Sequence, residues 1–252
     1  MEHPSLVVVG DVLIDVTVRG GPEHDARVSL RPGGSASNIA VWAAHLGAKA
    51  TVVARVGGDL AGRAVQAALE ERGVEAQLSE DPEAPTGTFV LIEGERWVDR
   101  GANASLAPRH LPASIEGDAV VISPYVEPET AHAAAQRARS SWVVAVGRPL
   151  EGANAVILNE IEAQGLEDSK ARFRLTCITR GVRGAVATLE GTHASAKPPM
   201  VEAGGAAGAG DAFTAGVMVS LARGAELGEA LLEACRCGAE AAASPTGWPV
   251  IK

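Results

Sequence analysis

The stretch Thr51-Val52-Val53-Ala54-Arg55-Val56, followed by Gly57-Gly58-Asp59 and then Leu60 through Gly73, carries the pattern that decides the fold. Its first part is a short apolar run without strict alternation, as expected of a strand covered on both faces. Asp59 is placed to cap a helix whose inward face would be Leu60, Ala64, Val65, Ala68 and Leu69, with Gly73 as its stop. A buried strand that turns at once into an amphipathic helix is half of a β-α-β unit.

The same rhythm extends in both directions. Leu6 to Val9, Ala119 to Ile122, Trp142 to Val146, Ala155 to Leu158, Leu175 to Thr179 and Ala185 to Leu189 read as further buried strands. Near the C-terminus Leu227, Ala230, Leu231, Ala234, Gly238 and Ala241 repeat at helical spacing. The alternation predicts an α/β fold around a mainly parallel sheet. Leu13 to Val18 and Thr88 to Val98 break the rhythm, with polar residues interleaved and a turn at Glu93-Gly94-Glu95. They predict a small exposed sheet that covers the ends of the parallel strands, where open α/β sheets bind ligands.

Composition narrows the function. The 252 residues are 46% hydrophobic, 21% charged and only 3% aromatic, so Ala, Val and Leu must build the core. A net charge of -9 argues against nucleic acid as a partner, since that needs a cationic surface. Cys177, Cys235 and Cys237 lack the further Cys/His pair of a zinc site and read as small buried side chains in a reducing compartment. With no signal-like leader and no long apolar run, the expectation is a cytoplasmic protein without a membrane partner.

Four pieces bear on chemistry. Gly204-Gly205-Ala206-Ala207-Gly208-Ala209-Gly210-Asp211 opens a helix through Ala212 and Phe213, so unpaired amides converge where the helix dipole is positive. Asp211 there is costly beside an anion unless it takes a proton, although a plain helix cap reads the same. No Gly-Lys-Ser/Thr follows, which excludes a Walker loop, and Val9-Gly10-Asp11 does not begin a dinucleotide loop. Arg31-Pro32-Gly33-Gly34-Ser35-Ala36-Ser37-Asn38 offers amides and a carboxamide to a polyol, or else a turn capped by Ser37 or Asn38. Asn159 and Glu162, three apart, suit water-mediated Mg²⁺ or a capping box. Thr179-Arg180-Gly181-Val182-Arg183-Gly184 reads as a phosphate-contacting turn or an ordinary hairpin.

Together and in this order, these pieces resemble the ribokinase-like (PfkB) carbohydrate kinases. Gly33 to Asn38 with Leu46-Gly47 and Val56-Gly57-Gly58-Asp59 is similar to the family's N-terminal motif. Gly208-Ala209-Gly210-Asp211 is similar to its G-A-G-D motif, Asn159 to Glu162 to N-x-x-E, and Thr179 to Gly184 to T-x-G-x-x-G.

The resemblance implies one kinase domain over 1–252, a three-layer α/β/α sandwich with lid strands from about 13–30 and 86–103. It implies ATP and Mg²⁺, and a hydroxymethyl acceptor on a small sugar or sugar acid. By it, Asp211 is the base and the amides of Gly208, Ala209 and Gly210 form the anion hole. Asp15, Gly33, Gly34, Ser35, Asn38 and Asn103 would bind the acceptor. Asn159, Thr179, Gly181, Gly184, Gly208 and Gly210 would meet the nucleotide, with Asn159 and Glu162 organising the metal through water. A homodimer through the lid is the expected assembly.

The sequence departs from the family at Gly205, where an Asp of a monovalent-cation site usually stands, and in the compressed Ser123 to Leu158 stretch and short tail. A nucleoside kinase, with Phe89, Trp97 and Tyr125 as stacking surfaces, and a non-catalytic binding member are the alternatives.

Overall fold

The computed structural model describes residues 3–21, 23–92, 94–166, 173–202 and 207–250. Strand β1 (Ser5–Val9) leads to β2 (Leu13–Arg19) and β3 (Arg27–Gly33), then to helix α1 (Ser35–His45). Next come β4 (Lys49–Gly57), α2 (Leu60–Glu71), β5 (Val74–Asp81), β6 (Gly87–Ile92) and β7 (Glu95–Asp99). β8 (Ile115–Glu116), β9 (Ala119–Ile122), α3 (Pro128–Arg137), β10 (Ala138–Arg139), β11 (Trp142–Val146) and β12 (Ala155–Asn159) follow. The chain finishes with β13 (Leu175–Thr179), β14 (Ala185–Leu189), β15 (Thr192–Ala196), α4 (Ala209–Ala222) and α5 (Leu227–Ala243).

Among the described residues, nine strands form one sheet in the order β15-β14-β13-β12-β11-β9-β1-β4-β5. Every neighbouring pair is parallel except the two that β14 makes. The apolar runs that do not alternate are explained by cover on both faces. Leu6 and Val8 of β1 enter a core shared with α1, α2, α4 and α5, whereas Val7 and Val9 enter a second core beneath α3. The compressed stretch after Ser123 leaves one helix, α3, and the two-residue strand β10 between β9 and β11.

The helix after Asp59 forms as expected, with the Asp59 carboxylate accepting from Gly62 N at 2.8 Å. Its inward face differs from the expected one. Gly62, Val65 and Leu69 are buried, but Leu60 is 79% exposed and Ala64 is exposed too. Gly62 packs so closely on the Gly57 carbonyl that this side of the first turn faces inward, rotating Leu60 and Ala64 outward. Full burial of Val65 and Leu69 contributes roughly 1.5–3 kcal/mol each.

A second sheet, in the order β3-β2-β6-β7, projects as the lid. The Arg31-Pro32-Gly33 stretch, read as a turn, is the end of strand β3. Pro32 is tolerated there because β3 is an edge strand. Strands β5 and β15 were not anticipated; each lies at an edge of the large sheet with a polar, half-exposed pattern. Of the turn at Glu93-Gly94-Glu95, Glu93 lies outside the described residues. The three cysteines are free and buried, and burial pushes the thiols of Cys177 and Cys237 up to about 12. Among the described residues, no helix is long and apolar enough to cross a membrane.

Helices α4 and α5 meet at Gly216, where an added Cβ would lie 2.7 Å from Ala234 Cα. Gly216→Val is therefore expected to lose about 1–3 kcal/mol by overpacking, read as a lower urea midpoint with an unchanged slope.

Candidate active site

The C-terminal ends of β12 and β13, the N-termini of α1 and α4, the lid strands β2 and β3 and the segment after β7 supply the residues singled out from sequence, and the ends of β1 and β9 add two more. Asp11, just past β1, ties three of these elements together. Its carboxylate accepts from Ser35 N at 3.1 Å and from Ser123 Oγ at 2.8 Å, and its carbonyl accepts from Ala36 N at 3.2 Å. The cap of α1 is thus provided in trans by Asp11 rather than by Ser37 or Asn38, and Gly34 occupies the cap position. Gly34 has a φ of 96°, and a Cβ there would come within 2.5 Å of the Asp11 carbonyl, so glycine is required twice over. Neither Asp11 nor Ser123 stood out in the sequence, because no spacing rule links positions 112 residues apart.

Asp211 sits in the first turn of α4. Its Oδ1 accepts from Ser35 Oγ at 2.7 Å and its Oδ2 from Asn38 Nδ2 at 2.8 Å. Burial, partly offset by these two hydrogen bonds and reinforced by Asp11 and Asp15, lifts its pKa to about 7. A carboxylate poised there can exchange a proton near neutral pH. The amides of Ala209, Gly210 and Asp211 belong to the first turn of α4 and have no acceptor within the helix.

Ser35 and Asn38, expected on the acceptor, are therefore both bound to Asp211. The orientation of Asn38 has a further cause: Trp248 Nε1 donates to its Oδ1 at 2.8 Å, which leaves Nδ2 for the carboxylate. Trp42 Nε1 in turn donates to the Gly247 carbonyl at 2.8 Å and fixes the tail that carries Trp248. The sequence offered no sign of this, since a tryptophan in a short C-terminal tail matches no motif.

Asp15 lies on β2 opposite Arg31 of β3. Burial and the nearby Asp11 raise its pKa to about 6, with Arg31 opposing. Gly33 lets this carboxylate approach, since a Cβ at 33 would sit 2.5 Å from Asp15 Oδ2. Asn103 is placed differently from the other expected acceptor residues. Its amide bonds to Val12 in both directions, at 3.0 and 2.8 Å, and pins the lid's return segment to the sheet. Thr86, whose Oγ1 donates to Asp59 Oδ1 at 2.7 Å, anchors the other approach to the lid.

Asn159 and Glu162 form a reciprocal capping box. Asn159 Oδ1 accepts from Glu162 N at 2.9 Å and Glu162 Oε2 from Asn159 N at 2.8 Å. Glu162 Oε1 lies beside Gly147. Its charge, with those of Asp11 and Asp211, adds to burial in raising the pKa of the Tyr125 phenol. Thr179 Oγ1 donates to the Leu158 carbonyl at 3.3 Å, and Gly181 and Gly184 bound a tight turn closed by Arg180 N to Gly184 O at 2.7 Å. Glu160 pairs with Arg183 and, at 3.6 Å, with Arg180, and so links this turn to the capping box. Among the described residues no group of three His, Cys, Asp or Glu side chains forms a metal cage. Gly204, Gly205 and Ala206, including the departure at Gly205, lie outside the described residues.

Residues 3–247 match the family described as pfkB family carbohydrate kinase. A fructokinase from Salmonella typhimurium is 29% identical over 262 residues, covering 85% of this chain and 83% of that one. A ribokinase from Bacillus subtilis is 30% identical over 280 residues and covers 94% of each. In fold, an adenosine kinase from Sinorhizobium meliloti superposes with a TM-score of 0.84 at 17% identity, covering 99% of this chain and 97% of that one. A ribokinase from Thermotoga maritima does so with 0.83 at 19%, covering 98% and 96%. The matched span, the ribokinase-like topology and the relatives agree: this chain belongs to the pfkB family of carbohydrate kinases.

Proposed function

We propose that the chain transfers the γ-phosphoryl group of ATP to a hydroxymethyl on a small sugar or sugar acid, with Asp211 as the base. The observation that carries this reading is the half-buried Asp211 carboxylate, held by Ser35 and Asn38 at the start of α4 with a pKa of about 7. Asp211 takes the hydroxyl proton as the oxygen bonds to the γ-phosphorus and the bond to the ADP oxygen breaks. Charge gathering on the transferred group is met by the free amides around Gly208, Ala209 and Gly210. Asp15, on the lid, holds and orients acceptor hydroxyls beside Gly33 and Gly34, and the lid excludes water that would otherwise compete.

The nucleotide would run along Thr179, Gly181 and Gly184 towards Gly208 and Gly210. Asn159 and Glu162 fit Mg²⁺ through its water shell: both offer hard oxygen atoms, and Glu162 Oε1 is not used by the capping box. Bound there, the ion would neutralise phosphate charge. One kinase unit spanning 1–252 accounts for all these roles.

The nucleoside alternative keeps less support. Phe89 lies opposite Asp15 on β6, but Trp97 pairs with Val90 and so belongs to the other face of the lid. That outer face, with Val28, Leu30 and Trp97 exposed, supports a homodimer through paired lids.

ADP release from Mg-ATP, measured across a panel of sugars, sugar acids and nucleosides, should be stimulated by a sugar-type acceptor. Asp211→Asn should lower that turnover by roughly 10²–10⁴-fold. Because Asp211 accepts a proton only when ionised, and its pKa is raised, wild-type kcat/KM should climb with pH through about 7 and level above it. A flat profile down to pH 5 would remove Asp211 from the role of base. Trp248→Phe removes the donor that orients Asn38. It should cost about 3–10-fold in kcat/KM, as for one hydrogen bond, and move the acid limb to higher pH. An unmoved limb would mean that Trp248 only packs.

A further inference from the structure

The lid sorts its charges by face. Residues paired across a sheet share a face, and successive residues alternate. Asp15 pairs with Arg31, Thr17 with Ser29 and Arg19 with Arg27. Across the sheet, Asp15 pairs with Phe89 and Thr17 with Leu91, which pairs in turn with Arg96. The face that carries Asp15 towards Asp11 and Asp211 therefore also holds Arg19, Arg27, Arg31 and Arg96. The opposite face, built from Val16, Val18, Val28, Leu30, Val90 and Trp97, has no cation in its strands. In a chain of net charge -9, this placement is opposite to what overall composition would scatter there.

Three of these arginines surround one space. A cavity of about 160 Å³ is lined by Thr17, Arg19, Arg27, Val28, Ser29, Arg31 and Pro245. Arg31 also donates to the Pro245 carbonyl, which holds it between Asp15 and the cavity. Among the described residues, none of Arg19, Arg27 and Arg31 is in an ion pair. Unpaired guanidinium groups beside two hydroxyls form a receptor for a multidentate anion, because their planar forks match phosphate and carboxylate oxygens.

We propose that the acceptor already carries an anionic group, and that Arg19, Arg27 and Arg31 hold it while Asp15 and Asp211 receive its hydroxyl end. This rests on the kinase reading of the same cleft. Steps of two residues along a strand are about 6.5 Å, so Arg31 stands level with Asp15, Thr17 and Ser29 lie one step outward, and Arg19 and Arg27 two steps, about 13 Å along the backbone. A phosphate monoester and a carboxylate share the required chemistry. The lid strands thus select for charge, while the hydroxyl pattern is read by the groups at the sheet ends.

The test compares ADP release for matched acceptors: a neutral sugar, its sugar acid and its monophosphate. It uses the wild type, the double variant Arg19→Gln/Arg27→Gln, and Arg31→Gln. The expected result is a kcat/KM at least tenfold higher for one anionic acceptor than for its neutral counterpart. That ratio should fall at least tenfold in the double variant and shrink as ionic strength rises. Whichever of the acid and the monophosphate shows the ratio identifies the anion. A preferred neutral sugar, or a ratio untouched by the double variant, overturns the proposal.

If no acceptor is turned over, the kinase reading fails instead. The subsite is then judged by calorimetric titration of the sugar monophosphate and sugar acid. Binding that the double variant loses upholds it; binding that is absent, or equal in both proteins, overturns it.

Discussion

Asp211 holds a half-buried carboxylate between neutral donors, with no cation in contact among the described residues, and much of the surrounding architecture follows from that placement. Burial alone would favour the protonated form, and the Ser35 and Asn38 hydrogen bonds oppose it, so the pKa settles near 7 rather than far above. Each donor needs a fixed position. Ser35 and Asn38 lie about one helical turn apart at the start of α1, and α1 is set by Asp11, whose carboxylate takes the Ser35 amide and whose carbonyl takes the Ala36 amide. The indole of Trp248 then decides which way the Asn38 amide points.

These contacts join parts of the chain far apart in sequence. Asp11 leaves β1 near the N-terminus, Ser123 leaves β9 in the middle, and Asp211 and Trp248 come from the last fifth of the chain. What brings them together is the parallel sheet. All its parallel strands end on one side, so the loops that follow them converge there. The lid is bound to the same edge by Asn103 on Val12 and Thr86 on Asp59. It brings one carboxylate, Asp15, and a face of arginines over the cleft.

Local pattern was a good guide wherever burial on two faces dictated it. Ala119–Ile122, Trp142–Val146, Leu175–Thr179 and Ala185–Leu189 form strands with the expected bounds, since a continuous apolar run has few other uses at that length. Pattern failed at the edges. β5 and β15 are half-solvated and carry Glu, Gln, His and Ser, so their composition resembled loop. At Leu60 and Ala64 helical spacing was right but the rotation of the helix was not, because the contact of Gly62 with Gly57 is not a periodic signal.

Sequence by itself determined the α/β class and the order of the motifs, and singled out Asp211 at a glycine-rich helix start. It could do so because strand runs, caps and glycine-rich helix starts are local, and local chemistry is written in adjacent residues. Tertiary structure alone decided the partners: Ser35 and Asn38 on Asp211, Trp248 behind Asn38, Asp11 as the cap of α1, and Asn103 on backbone. It also decided that Arg19, Arg27 and Arg31 share a face with Asp15, through the register of β2 on β3. A one-residue slip in that register would send them to the opposite side, and no spacing within the chain specifies it.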